Sequence, residues 1–430
     1  MAGAAVVQSG EYGLFIDTGT LQDAFVLDDA TQGVLNNSTY VLDGTTTFAD
    51  VTFGALNVAI KRGRRDVGDQ FSAGTMTFTL NDTFAAGVFN PFDTVSPFYD
   101  TTNSQPGLAP LRQVRFVRYD TATNEQELFV GYIVNYDYAF QLGGLNTVSV
   151  YCADQFYLLA QTFLDEYNVS AETSGQRITS VLALPEVNYT DTTNIATGTV
   201  NLGHDAAYTV PAGTNVLAYL SQINDTAEFG RLFMSRDGVL TFQNRIGNTL
   251  SAAVVDFHDD GTNTPYDTVG ITFEADQVVN RAVVTALDNT TATDTDAASI
   301  ATYFTQTTSI TNSLLHIQGE IDAAAAYLLN GEPEARYTDV GTYFAALSTA
   351  ERDTVAIVDI GDTITIEKTF TTSGGPVSLA QELSVEGVEH NIDFASGHRV
   401  TFFTAPTTIV YELILNDSVF GTLDAENVLG

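Results

Sequence analysis

Residues 57–99 read NVAIKRGRRDVGDQFSAGTMTFTLNDTFAAGVFNPFDTVSPFY, and this stretch decides the fold. Val58 and Ile60 alternate into a basic turn, Lys61-Arg62-Gly63-Arg64-Arg65, and after Gly74 the run from Thr75 to Leu80 alternates polar and apolar residues in strict period two. That period sends every second side chain to the same face, so the segment predicts a half-buried hairpin. Asn90-Pro91 and Ser96-Pro97 predict two turns, because each proline fixes its own φ and pushes the residue before it toward extended backbone.

Outward from this hairpin the same signal recurs. Leu111 to Arg118 alternates apolar and basic residues, and Leu128 to Ile133 and Leu145 to Tyr151 read as further strands. Ala153 to Ala160 turns helical, with Phe156, Leu159 and Ala160 on one face. Leu217 to Arg245 reads as a helix ending near Gly230, then a hairpin turning at Asp237-Gly238. The expected class is therefore mainly β with some α (α+β): two strand-rich regions, about 41–165 and 266–430, flank a smaller mixed segment.

Composition bounds the reading independently. The chain has 430 residues, a length that predicts about two to four domains, and 44% hydrophobic content suffices for packed cores. No apolar run approaches the roughly 20 residues that span a bilayer, and residues 1–7 lack the charged start of a signal peptide, so synthesis in a cytoplasm is expected. The single cysteine, Cys152, beside Val148, Val150 and Tyr151, reads as a small buried thiol. Net charge is −37, which repels nucleic acid in general. Two readings of that acidity stand side by side: a lining that keeps a polyanion from sticking, or solubility in salty surroundings. Lys61, Arg62, Arg64, Arg65, Arg112, Arg115 and Arg118 all fall in the first strand-rich region. Against an acidic remainder they are candidates for pairing across subunit contacts, for which arginine is suited by its bidentate geometry; a solvated basic turn beside Asp66 and Asp69 is the alternative.

The order of these features resembles phage baseplate hub proteins, also called tail-associated or minor tail proteins. In that family a basic RGR-type turn, a Gly-Thr strand entry, an Asn-Pro to Ser-Pro loop, a strand of the Leu128-Phe129-Val130-Gly131-Tyr132-Ile133 kind and an Asp-initiated helix come one after another as they do here. Asn280 to Val284, the alanine-rich helix Ile321 to Leu329 and the turn Glu332-Pro333-Glu334 resemble the opening strand, inserted helix and Glu-Pro turn of the later hub domains. Asp359 to Ile366, Gly387 to His390 and Gly397 to Phe402 resemble the closing strands of a second barrel. Asp288 to Ala298 is expected as a Thr/Asp-rich loop. The resemblance implies two tube-like β-barrel hub domains around small α+β domains: a docking segment at 1–40, a first barrel at 41–165, a small α+β domain at 166–265, and a second barrel at 266–430 with a helical insertion near 300–336 and a terminal docking segment. It also implies a homotrimer at the tail tip of a virion, adapting a sixfold tail tube to a threefold tip and gating exit. The partners would be a distal tail protein ring, the tape-measure protein, and a central fibre or receptor-binding proteins, with DNA passing transiently and without specific binding.

An internal repeat adds to this. Phe25 to Asn36 reads FVLDDATQGVLN and Leu413 to Asp424 reads LILNDSVFGTLD, sharing Leu27, Asp29, Gly33 and Leu35 with Leu415, Asp417, Gly421 and Leu423. Asx residues nucleate turns and glycine permits positive φ, so each copy predicts a compact turn, and two such copies suggest a docking element used twice. Similar segments recur at the ends of minor tail proteins.

Catalytic chemistry has little footing. The chain lacks a G-x-S-x-G elbow, an H-E-x-x-H pair, a P-loop and paired cysteines, so no catalytic, cofactor or metal residues are expected and the chain does not read as an enzyme. His390 and His398 flank a turn at Ser396-Gly397 and could approach each other; structural hydrogen bonds are the expected use. Asp259-Asp260-Gly261 and the pair Asp294 and Asp296 lack EF-hand spacing and read as solvated loops. The competing class is a secreted or surface β-rich adhesin or carbohydrate-binding protein, which shares the acidic, Thr-rich composition and leaves the order of motifs unexplained.

Overall fold

The computed structural model describes residues 10–22, 45–65, 69–101, 104–245 and 252–406. Both copies of the terminal repeat, with Leu27, Asp29, Gly33, Leu35, Leu415, Asp417, Gly421 and Leu423, lie outside the described residues.

One 13-stranded sheet organises the molecule. The first β unit contributes β1 (Tyr12–Gln22), β2 (Thr45–Asp50), β3 (Ala55–Gly63), β4 (Ser72–Asn81), β5 (Gln113–Tyr119), β6 (Glu125–Ala139) and β7 (Thr147–Ala153). The second contributes β8 (Val255–His258), β9 (Thr268–Thr272), β10 (Arg336–Tyr343), β11 (Thr363–Thr372), β12 (Gly375–Asp393) and β13 (Gly397–Pro406). The spatial order is β9-β10-β13-β12-β3-β4-β7-β6-β5-β1-β2, with β11 pairing both β12 and β8. The two strand-rich regions thus meet edge to edge, β12 against β3. Strand β1 falls in the stretch expected to be a docking segment; Tyr12, Leu14 and Ile16 alternate into the core, and β1 pairs with both β2 and β5.

The period-two reading explains why the sheet is wet on one side. Val58, Ile60, Met76, Phe78, Leu80, Val148, Val150 and Cys152 are buried in one core, which continues without a break through Val340, Val388, Ile392, Val400 and Phe402 of the second unit. The alternating positions, such as Asn57, Lys61, Thr75, Thr77 and Asn391, face outward. Burial pushes the Cys152 thiol well above its ordinary range.

The two units repeat one another in topology and register. The row Ala59, Thr77, Tyr151, Asn135 across β3-β4-β7-β6 corresponds to Gly270, Asp339, Phe403, Gly387 across β9-β10-β13-β12. The next row, Val58, Phe78, Val150, Tyr136, corresponds to Val269, Val340, Phe402, Val388, and the match holds for Asn57, Thr79, Ser149, Asp137 against Thr268, Gly341, Thr401, Glu389. One irregularity coincides, for β6 is bulged between Ile133 and Asn135 and β12 between Val385 and Gly387, whereas β9 shifts against β10 between Gly270 and Ile271 where β3 runs regularly on β4. A bulge bends its strand and re-aims the residues beyond it, so on that side β12 passes from β11 to β3, while β6 pairs with β5 and then, among the described residues, with no further strand.

A second core belongs to the middle module. It gathers residues between Phe156 and Phe242 with Ala282 to Ala325, so the segment inserted between β9 and β10 packs onto the module that precedes β8. Asp154 caps the helix Gln155–Gln161 by accepting from Phe156 N–H, where the Asp-initiated helix was expected. Arg177, fully buried, is held by Glu172 at 2.6 Å, Tyr219 Oη at 3.0 Å and the Ser170 carbonyl at 2.7 Å. The expected loop Asp288 to Ala298 is corrected: Thr291–Thr295 is a strand on Arg281–Ala286, and Asp296 caps the helix Ala297–Tyr303 by accepting from Ala298 and Ser299 N–H. Threonine's β-branched side chain suits a strand better than a loop.

Candidate functional site

The seam where β12 lies on β3 gathers most of the basic residues singled out in the sequence. Gly387 to Asp393 pairs antiparallel with Gly63 to Asn57. Arg62, buried, donates to Asp359 at 2.5 Å. Asp359 also accepts the Arg236 backbone N–H at 2.7 Å. Glu386, the bulged residue, is buried and receives Arg64 at 2.8 Å from the first unit and Arg231 at 2.7 Å from the middle module. One carboxylate therefore ties three parts of the chain together, and both of its partners are arginines able to form paired hydrogen bonds.

Arg118 extends the seam from β5. It is buried, lies 2.8 Å from Asp353 and 3.3 Å from Glu11, and stacks 5.6 Å over the Phe344 ring. Asp353 sits in the helix Thr349–Ala356, which starts with a capping box between Ser348 and Glu351. Burial would push the Asp353 carboxyl up, but hydrogen bonds from Thr121 and Arg118 prevail and hold it below its ordinary range.

Lys61 and Arg65 occupy the solvent side, 3.5 Å and 3.9 Å from Glu389, with Arg65 also 4.8 Å over the Phe403 ring. Arg115 pairs within its own hairpin, with Glu125 at 2.7 Å and with Glu127. Burial raises the Glu127 carboxyl, and Arg115 opposes that rise. The Arg112 guanidinium packs against Gly19, at φ +72°, where any Cβ would strike it. Within the chain, Lys61, Arg62, Arg64, Arg65 and Arg118 find carboxylate partners in the second β unit. Their partners Asp353, Asp359 and Glu386 lie 235, 297 and 322 residues further on in the chain, beyond the reach of a local pattern.

Behind the ion pairs runs a buried polar chain. Tyr12 Oη lies 2.8 Å from His398 Nδ1, and His398 Nε2 lies 3.0 Å from His390 Nδ1. The turn at Ser396-Gly397 does bring these histidines together. Burial, followed by Arg62 and Arg236, holds His390 down to about 3, and burial with His390 and Arg118 nearby holds His398 well below its ordinary value. Asp154, fully buried where the first unit meets the middle module, is pushed up to about 7 by burial, against the pull of Gly74 N–H, Phe156 N–H and Arg62. Among the described residues no cluster has the geometry of a metal site. His258, Asp259 and Asp260 form a surface group in which Asp259 accepts from Thr369 and Lys368. These features position and lock the seam between the units.

No protein-family model matches the sequence, and no curated protein does. Solved structures do match. A tail protein from Neisseria meningitidis MC58 superposes with a TM-score of 0.52 at 12% identity, over 84% of this chain and 94% of that one. The 43 kDa tail protein of prophage MuSo2 from Shewanella oneidensis gives 0.51 at 12% identity, over 84% and 97%. The mainly β fold with its smaller α+β module is therefore the fold of phage tail proteins.

Proposed function

We propose that this chain is a structural component of a virus tail, a baseplate hub subunit that assembles as a trimer at the tail tip. The observation that carries this is the internal repeat: two β units of matching register, fused edge to edge into one sheet with one continuous solvent face. Three such chains present six similar units around an axis, which meets a sixfold tube, while the middle modules repeat only three times and suit a threefold tip. The solvent face across the seam carries small polar residues, Asn57, Thr75, Thr77, Thr79 and Ser149, with Lys61 balanced by Glu389. Beside them stand Tyr151, 45% exposed, and Arg65, which shares Glu389 with Lys61, so the face is mixed rather than basic, which supports DNA passage without specific binding.

In this reading the chain has no enzymatic role. Its neighbours are a distal tail ring on the tube side, the end of the tape-measure protein within, and a central fibre or receptor-binding assembly beyond. Opening of the tip releases tape measure and DNA by rearrangement of packed units. Imaging the tail tip of purified virions tests this: three copies in a ring beneath the tube are expected, and a position elsewhere, or absence from the virion, would overturn it.

A further inference from the structure

The buried side of the seam holds more hydrogen-bond donors than the chain supplies acceptors for. Arg62 is 5% exposed and gives Nη1 to Asp359, while its Nε and Nη2 have no acceptor among the described residues. His390 is 1% exposed, and its Nε2 is likewise without a partner there. Both side chains lie on the core face of the sheet. Val388 stands opposite Arg62 and His390 opposite Ile60, and all four are buried, so Arg62 and His390 are diagonal neighbours across β3 and β12, a spacing that long side chains bridge.

The polar chain behind the ion pairs makes His390 Nε2 a donor. The Arg118 guanidinium donates to the Tyr12 hydroxyl, which then gives its own proton to His398 Nδ1 at 2.8 Å. His398 carries its proton on Nε2 and donates to His390 Nδ1 at 3.0 Å, which leaves the His390 proton on Nε2. The carboxylates around these donors are engaged. Asp359 receives Arg62 on one oxygen and the Arg236 backbone N–H on the other, and Asp362 accepts the Asp359 N–H. Asp154 flanks the Arg62 stem, since a Cβ on Gly74 would strike both, yet its oxygens take the Gly74 N–H at 2.6 Å and the Phe156 N–H at 3.0 Å. Positive charge is left over as well. Arg62 and Arg236 both bear on His390, but the Arg236 guanidinium gives Nη1 to the Glu127 carbonyl, and among the described residues only Arg62 of the two has a carboxylate within ion-pair distance.

We propose that Arg62 and His390 bind a small monovalent anion, chloride, beneath the joint of β3 and β12. Buried donors without acceptors and a buried cation without a counter-charge are both costly, and one halide answers both. It accepts from several directions and donates nothing. A water molecule brings no charge and two protons that need acceptors of their own, and a divalent oxyanion overshoots the single uncompensated charge. The bound ion ties the first unit, through Arg62, to the second, through His390, with Arg236 bringing the charge of the middle module to the same place. The site is internal to one chain and stands independently of the tail reading.

Full-length protein prepared without halide tests it. Gluconate is exchanged for chloride at constant ionic strength, so that screening of surface pairs stays the same, and thermal unfolding is followed. The expected result is a rise in melting temperature that follows one-site binding, RT ln(1 + [chloride]/Kd), and that bromide reproduces. Lys61→Ala, on the solvent side of the same strand, should respond as the unaltered chain does. Arg62→Lys keeps the charge but loses the guanidinium fork, and His390→Leu removes the facing donor; each should raise the chloride concentration needed about tenfold or more. Crystals of the unaltered protein grown in bromide give a reading that needs no variant to fold: anomalous scattering should place one bromide between Arg62 and His390. Melting that is the same in chloride as in gluconate overturns the site. So does a water at that position in bromide crystals, or a saturable halide effect whose bromide lies elsewhere.

Discussion

The two β units share strand order and register, yet one edge of each is finished differently. Where β12 meets β3, buried arginines and carboxylates alternate with Val58, Ile60, Val388 and Ile392; where β6 and β9 end, phenylalanine and isoleucine stand in solvent. A joint that forms as the chain folds can use buried charges, because both partners are held at high effective concentration and desolvated together. A joint that must form between finished subunits gains more from apolar area, which is attractive without demanding exact pairing in advance. The difference teaches that a duplicated fold need not duplicate its chemistry.

The comparison breaks most visibly at Glu386. Its counterpart in the first unit is Val134, at the same bulge, whereas Glu386 is the carboxylate that pairs with both Arg64 and Arg231, whose further hydrogen bonds go to the Asp69 carbonyl and the Ser384 hydroxyl. Glu386→Ala leaves two partly buried guanidinium groups facing an empty site, and removal of one member of such a buried network costs about 3–5 kcal/mol. Urea unfolding should show that loss, with Glu386→Gln falling between. A change below about 1 kcal/mol would mean that the seam is held by strand pairing alone.

Next in size is the contrast between equivalent apolar positions. Ile392→Ala empties a packed site and should cost about 2–4 kcal/mol in the isolated chain. Phe140→Ala, at the same place in the repeat, should cost less than about 0.5 kcal/mol there, because its side chain is already wet. Equal costs at the two positions would show that Phe140 is packed in solution and that the edge is covered within one chain.

Much of this was legible in the sequence, and the limits have physical causes. Strict alternation located β3, β4, β5, β7 and the turn between β12 and β13, since period two is a local property of a sheet with one wet face. The order of motifs carried the class of fold. Tyr12–Gln22 hid because a glycine pair and an acidic residue interrupt its alternation, and Thr291–Thr295 hid because threonine and aspartate run through it like a loop. The capping box Ser348-x-x-Glu351 is a local signal the sequence reading passed over, and it starts the helix that brings Asp353 to Arg118. The seam itself was not readable: which arginine meets which carboxylate depends on β12 returning across most of the chain to β3. The register of the internal repeat shares almost no sequence identity, for Ala59 answers to Gly270 and Phe78 to Val340, so only paired backbones reveal it.

Acid sharpens the comparison through the buried groups of the internal seam. His390 and His398 are held neutral in the fold, so unfolding lets each take up a proton once pH drops below about 6.5, and stability is lost as pH falls. Asp154 works the other way. Its folded value near 7 exceeds its unfolded one, so it contributes stability that is present at low pH and lost as pH rises through 7. Between about pH 4.5 and 6.5 the unfolded chain binds two of these protons and the folded chain one, so these three groups together lower stability by about 1.4 kcal/mol per unit of acidification, against the raised carboxyls of Glu127, Asp225 and Asp362. Asp154→Asn removes the opposing group and should steepen the slope to about 2.7 kcal/mol per unit. Thermal or urea unfolding across this window reads both slopes; a flat profile in either protein would mean that the histidines stay solvated.

The smallest effect belongs to the solvent side of the same seam. Lys61 is 3.5 Å from Glu389 but its side chain is 64% exposed, so water and salt compete for both charges. Such pairs contribute about 0–1 kcal/mol, and Lys61→Ala should change stability by no more than that at physiological salt. The loss should shrink further as ionic strength rises and the Debye length falls to a few ångströms. Arg62, on the neighbouring position of the same strand, differs in facing inward, and Arg62→Ala should cost several-fold more with little salt dependence because its charge and that of Asp359 are screened by protein rather than water. If the two substitutions responded equally to salt, the seam would be open to solvent on both faces, and the division between a wet face and a packed one that organises the whole sheet would fail at its joint.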